Sequence, residues 1–300
     1  MLAIVIPFFK LIYFNDTLKS LANQTDKRFK VYIGDDASPE NPLDLLEHYK
    51  GTFDFEYKRF ETNLGGLSLT KQWERCIEMI DNEEWIMLLG DDDYLDENVV
   101  ASWYYNFKNF ESKTSVVRFA TIVVNEKTNR ISKIHKHPIW ESSIDSFWRR
   151  YEGKTRSTLS EYIFSKNKYL EFGFRNYPLA WHSDDMAWLV FTNAGNIFTI
   201  NESVVFYRFS EISLSGKKMN QNLKDKASYL FYKDIIEQFL TEFDLNKKLD
   251  LILEYEITIK KINILSNNDW YYILKLYMKY FKLIPFLKFV RRFLIDFNKK

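Results

Sequence analysis

The chain has 300 residues, 46% of them apolar, enough to bury a sizeable core and to exclude a disordered chain. Its 42 basic and 41 acidic residues leave a net charge of +1, so the total singles out no class of partner and only the distribution of charge is informative. One cysteine, Cys76, excludes an internal disulfide and suits a reducing cytosol. No run of 18 uninterrupted apolar residues occurs, so no membrane-spanning helix is expected.

The first hundred residues alternate between strand and helix patterns. LAIVIPF (2–8) is a continuous apolar strand, too short and too soon interrupted for a signal peptide. A helix is expected over 17–25, a strand over 29–38, and a helix over 41–50 with proline near its start. FDFEYKRF (53–60) alternates as a third strand, TNLGGLS (62–68) is a loop, and 68–80 is an amphipathic helix. WIMLLG (85–90) is a fourth, fully apolar strand. Strands separated by helices of this length predict an α/β fold, a mostly parallel sheet with right-handed crossovers. Beyond residue 98 the pattern loosens: a helix over 99–110, a strand over 115–124, short helices around NKYLEFGF and 183–195, and a strand pair over 196–209. After about Lys217 glycine and proline nearly vanish and long helical patterns follow, which places a boundary near residue 216.

Ligands of parallel sheets sit beyond the carboxyl ends of the strands, and two acidic clusters fall there. One is Asp35-Asp36; the other is Asp91, Asp92 and Asp93. Three adjacent carboxylates after a buried strand repel one another, and a divalent cation, Mn2+ or Mg2+, bound together with a diphosphate would offset that. Asp96 reads as a cap for the next helix. Asn63 and Gly65 lie in a loop where backbone is able to approach a ligand closely. Asp184 and Asp185 open a predicted helix, where they either complement its dipole or take a proton from a hydroxyl nucleophile. His182 stands beside them to meet an acceptor or to orient Asp184. His135 and His137 share a strand face without a third ligand nearby and read as surface residues.

The ordered set IVIPFF, SLANQTDKRFKVYIGDDAS, NLGG, WIMLLGDDDYLDEN, WHSDDMAWLVFTNAG and YRFSEISLS resembles the family-2 glycosyltransferases over about residues 2–216. The resemblance implies a GT-A-type, Rossmann-like sheet flanked by helices and an inverting transfer from a nucleotide-diphosphate sugar. It implies that Pro7, Phe8 and Phe9 cradle uracil and that Asp36 contacts the base. Asp91 and Asp92 are the better counterparts of the nucleotide and metal contacts, with Asp93 in support. Asp184-Asp185 matches the pair that supplies the catalytic base, with Asp185 the first candidate. Ser210 replaces a common histidine, which leaves Arg208, Ser213 or Ser215 to meet the diphosphate.

The last thirty residues carry eight lysines and arginines against one aspartate, interleaved with aromatics. That pattern fits either a helix at an anionic membrane surface or one packed on the domain, with Pro285 breaking it near its middle. No nucleic-acid module accompanies the charge. The reading is a cytoplasmic sugar transferase, peripheral to the inner face of the membrane, acting on a glycan or lipid-linked acceptor. Its rivals are a nucleotidyltransferase, against which the glycine-free IPFFKLIYFND counts, and a binding module that has lost turnover.

Overall fold

The computed structural model describes residues 1–210, 220–262 and 265–297. The chain divides into two compact units, residues 1–218 and 219–300. The first is a sheet with helices on both faces. β1 (Leu2–Phe8) is flanked by β2 (Phe29–Asp35) and β4 (Trp85–Leu88), with β3 (Asp54–Arg59) outside β2, all four parallel. β9 (Tyr162–Ser165) then runs antiparallel between β4 and β6 (Val116–Asn125), and β10 (Asn196–Phe209) pairs parallel to β6. The short β5 (Tyr94–Leu95), β7 (Arg130–Ile131) and β8 (Trp140–Ser142) pair antiparallel with β10, β6 and β10 in turn.

Every side chain of Leu2–Ile6 is buried, because the sheet is covered on both sides. Leu2, Ile4, Ile6 and Phe8 join one core with α1 (Phe14–Ala22), α2 (Leu43–Tyr49) and α4 (Val99–Phe110). Ala3 and Val5 join the other, with α3 (Leu69–Ile77) and α7 (Ser183–Phe191). That alternation settles one sequence expectation against itself. Phe8 is wholly buried and packs 4.7 Å from Phe14, so its ring does not reach a nucleotide; Pro7 and Phe9 are the partly exposed members of that trio.

The expected strand pair over 196–209 is one continuous strand. Its pairing with β6 skips from Ile200 to Val204, so residues 201–203 form an irregularity that takes the place of a turn. The stretch from Trp140 to Ser165, which sequence reading left without elements, holds β8, α5 (Ser143–Tyr151) and β9. Buried Arg118 of β6 fixes these pieces. Its guanidinium donates to Glu141 at 2.8 Å, Ser146 at 2.6 Å and Thr199 at 3.1 Å. Glu141 also pairs with Arg149, whose Nη2 lies 3.1 Å from His137 Nδ1. His137 is therefore interior rather than on the surface, and burial together with Arg118 pulls its pKa down to about 2.

The second unit is helical: α8 (Gln221–Asp234), α9 (Leu245–Ile262), α10 (Asn267–Lys279) and α11 (Leu283–Phe297). The break in the tail falls at residues 280–282. Pro285 instead occupies the first turn of α11, where its missing N–H leaves no bond unmade. Tyr277 and Phe289 are buried and stack 4.8 Å apart, so these two of the aromatics expected to face a membrane are core.

Gly34 shows how closely α3 lies on β2. A Cβ there would stand 2.3 Å from Cys76 Sγ and 3.0 Å from the Phe60 ring. Gly34→Ala should lower the stability measured by urea unfolding by about 1–3 kcal/mol, the usual range for overpacking. An unchanged midpoint would mean that the helix is free to retreat.

Candidate active site

The carboxyl ends of β1, β2 and β4 meet on one rim, and the acids there are divided between different tasks. Asp91 Oδ2 accepts from the backbone N–H of Phe9 at 2.8 Å and of Lys10 at 2.7 Å, tying the turn after β4 to the end of β1. Asp93 is buried; Oδ1 accepts from the Arg208 N–H at 2.8 Å and Oδ2 from the Ser160 hydroxyl. Burial, reinforced by the Asp92 charge, raises the Asp91 carboxyl to about 7 and that of Asp93 to about 8. Asp92 differs. Among the described residues no other residue donates a hydrogen bond to its carboxylate; burial raises its pKa, and the charges of Lys10 and Arg208 offset this only in part.

No three His, Cys, Asp or Glu side chains among the described residues form a metal-binding cluster. Of the three aspartates expected around one ion, Asp91 and Asp93 are engaged by backbone and hydroxyl donors. Asp92 would suit a hard cation that takes one carboxylate and draws its other oxygen ligands from a diphosphate and water.

Arg208, a candidate diphosphate contact in the sequence, is held elsewhere. Nη2 pairs with Asp16 at 2.7 Å, Nη1 with Glu126, and Nε donates to the Asp92 carbonyl at 2.9 Å. The guanidinium also lies 4.2 Å from the Tyr13 ring centroid. It is a brace for the acidic turn. Ser210 is buried just past the end of β10, and Ser213 and Ser215 lie outside the described residues.

Asp35 and Asp36 hold the neighbouring loops. Asp35 accepts from Tyr57 at 2.6 Å, Arg59 at 2.8 Å and the Ser38 N–H at 2.8 Å. Asp36 accepts from the N–H groups of Leu64 at 2.6 Å and Gly65 at 2.9 Å and pairs with Arg75. Asn63 Oδ1 takes the Gly66 N–H at 2.6 Å. A Cβ on Gly65 would meet Asp36 Oδ2 at 2.5 Å, which is why glycine stands there.

The second acid pair opens α7 after a strained approach. Leu179, Ala180 and His182 all adopt positive φ, at 59°, 52° and 69°. Asp185 turns into the protein, with Arg150 Nη1 at 2.5 Å and His182 Nδ1 at 2.9 Å. Burial pushes its pKa up, but Arg150 and His182 outweigh this and hold it below the usual carboxylate value. His182 thus orients Asp185, not Asp184 as the sequence suggested. Asp184 has no cation partner among the described side-chain bonds, and burial with the Asp185 charge raises it to about 7.

Two connections bring the clusters together. Asn176 Oδ1 accepts from Ser68 at 2.8 Å and Thr70 at 2.7 Å, joining the glycine loop to the approach of α7. Ser160 and Glu161 bridge the rest: Ser160 bonds Asp93, and the Glu161 charge acts on Asp184. Arg156 sits between them, its charge felt at both Asp93 and Glu161, with a buried Nη1 that makes no hydrogen bond.

The model of glycosyl transferase family 2 matches residues 3–173, more than half of the chain. The chain belongs to glycosyl transferase family 2. No curated protein sequence matches it. Its fold is similar to that of S. aureus TarS. TarS 1–349 with UDP-GlcNAc superposes with a TM-score of 0.67 at 14% identity, covering 93% of this chain and 80% of that one. The UDP complex of the same protein gives 0.62 at 14% identity over 93% and 79%. This glycosyltransferase has a GT-A-type sheet, as its motif order led us to expect.

Sequence reading of this family-2 enzyme found the acids but missed their partners: Asp16, Arg75, Glu126, Arg150, Arg156, Ser160 and Glu161. Each is more than 20 positions from the rim residue it serves, counting Arg156 by its effect on Asp93; only Arg75, on the polar side of the helix after NLGG, had a position that pointed to the rim. Gly65→Ala should expel the Asp36 carboxylate and leave two N–H groups unmet, lowering urea stability by about 1–3 kcal/mol. Unchanged stability would mean that Asp36 does not hold the loop.

Proposed function

We propose that the chain transfers a single sugar, with inversion, from a nucleotide-diphosphate sugar to a glycan or lipid-linked acceptor. The donor is read as UDP-linked because the similar TarS structures hold UDP and UDP-GlcNAc. The setting is bacterial surface polysaccharide assembly at the inner face of the cytoplasmic membrane. Residues 1–216 are the catalytic domain and 217–300 a helical extension.

One observation carries this reading. Asp92, whose carboxylate no other described residue donates to, is next to Asp93, which Ser160 bonds, while the charge of the adjoining Glu161 acts on Asp184, an acid raised to about 7. Asp92 would hold Mn2+ or Mg2+, and such an ion supplies charge stabilisation for the departing diphosphate. Pro7 and Phe9, partly exposed at the end of β1 and in its exit loop, would lie against the donor base, with Asp36 shaping the glycine loop. Asp184 takes the acceptor proton as its oxygen bonds to the anomeric carbon, and the carbon–oxygen bond to the diphosphate breaks on the opposite face. A base near pKa 7 balances proton affinity against availability at neutral pH. Asp185, ionised and paired, positions His182 and the start of α7. This reverses the order of the two expected from the sequence, because Arg150 and His182 lower the proton affinity of Asp185.

A panel of nucleotide sugars, assayed for nucleotide diphosphate release with Mn2+ and then EDTA, tests donor and cation together. Release from a UDP-sugar with Mn2+ and loss in EDTA is expected; equal release in both removes the cation.

Turnover should rise with pH through about 7, as Asp184 loses its proton, and level off above it. Asp184→Asn should lower kcat by roughly 100-fold or more while donor affinity is kept. If only Asp185→Asn does so, the roles of the two are exchanged.

A further inference from the structure

α11 is turned inside out for a helix facing water. Its inner side packs aromatics: Phe289 against Tyr277 at 4.8 Å and Trp270 at 5.8 Å, and Phe293 against Trp270 at 5.2 Å. The same side carries paired charges, Arg292 to buried Glu256 at 2.8 Å and Asp296 to Lys260 at 2.8 Å. The outer side carries Leu283, Ile284, Leu287, Leu294 and Ile295, which are 61%, 66%, 56%, 52% and 43% exposed. At about 100° per residue these five fall within one arc of about 140°, together with Lys288 and Arg291. No acidic residue lies on that arc, and neither cation is paired among the described residues. Phe281, 55% exposed, continues the apolar surface at the turn before α11.

We propose that α11 lies flat on an anionic phospholipid surface, with its leucine and isoleucine face inserted and Lys288 and Arg291 at the headgroups. A row of five large aliphatic side chains in water is unfavourable, and interfacial helices bury such a face at the headgroup–acyl boundary. Fifteen residues make about 22 Å of helix, shorter than the roughly 30 Å hydrocarbon core, and no described helix is long and apolar enough to cross a membrane. A second copy of the chain fits this face poorly. Pairing like faces would desolvate Lys288 and Arg291 of both copies without a counter-charge, whereas anionic headgroups supply one. The inference goes beyond sugar transfer and stands or falls apart from it.

Deleting the tail is a poor test, because α10 and α11 also build the core of their unit. Substitution of the outer face is a clean one. The full chain should co-sediment with vesicles of phosphatidylcholine mixed equally with phosphatidylglycerol, less so at high salt, and not with phosphatidylcholine alone. Lys288→Gln with Arg291→Gln should weaken that binding by on the order of tenfold. Leu287→Ser with Leu294→Ser should weaken it at least as much, with the urea midpoint unchanged because both side chains are exposed. Equal capture by the two vesicle types, or full capture of both variants, overturns the proposal. A solution dimer seen by light scattering and split by the leucine substitutions assigns the face to a second copy and overturns it too.

Discussion

The rim of the first unit depends on how the turn after β4 keeps three adjacent carboxylates in place. Each outer aspartate is captured by a different part of the chain. Asp91 takes two backbone N–H groups at the end of β1, and Asp93 takes Ser160 and the backbone of Arg208. Arg208 closes the arrangement by bonding the carbonyl of Asp92 while two further acids, Asp16 and Glu126, balance its charge. Buried polar networks of this kind hold a geometry only when their members find partners. The middle carboxylate is thereby left without a donor from another described residue, on a turn fixed from both sides.

The same division recurs across the site. Asp35 and Asp36 organise loops through N–H groups and arginines, and Asp185 anchors the start of α7. Asp35 and Asp36 are both structural, whereas the Asp91–Asp93 cluster and the Asp184-Asp185 pair each leave one acid with little hydrogen bonding. A ligand or a proton is then the natural partner for Asp92 and Asp184. The strained backbone at Leu179, Ala180 and His182 delivers the second of these, and such strain persists only where surrounding packing enforces it.

β1 and β4 were legible because a doubly covered sheet demands unbroken apolar runs, which LAIVIPF and WIMLLG supply, and the edge strand β3 by its alternation. α4 matched its pattern from Val99 to Phe110 because one broad face of it is buried. The acid clusters were legible because charge after a buried strand is costly. What stayed hidden was pairing at long range. Nothing near Arg118 announces that it is buried with Glu141, and nothing in Ser160-Glu161 announces that it joins the two clusters. β9 is four residues long, too short for periodicity to mark it. Phe8 was misplaced because motif order does not record which side of a strand a residue faces, whereas the two-residue alternation of β1 does. The tail looked uniform in composition, yet its aromatics divide into a packed face and an exposed one.

We propose that Asp91 and Asp93 hold the turn while Asp92 alone is left for the cation and diphosphate. Comparing the three alanine variants by urea unfolding and by calorimetry of UDP with Mn2+ tests it most directly. Asp91→Ala and Asp93→Ala should each lose about 1–3 kcal/mol of stability through stranded N–H or hydroxyl donors. Asp92→Ala should keep its stability within about 0.5 kcal/mol and lose the cation-dependent part of UDP binding. Cation-dependent binding that survives in Asp92→Ala, or outer variants as stable as the parent, would contradict the account.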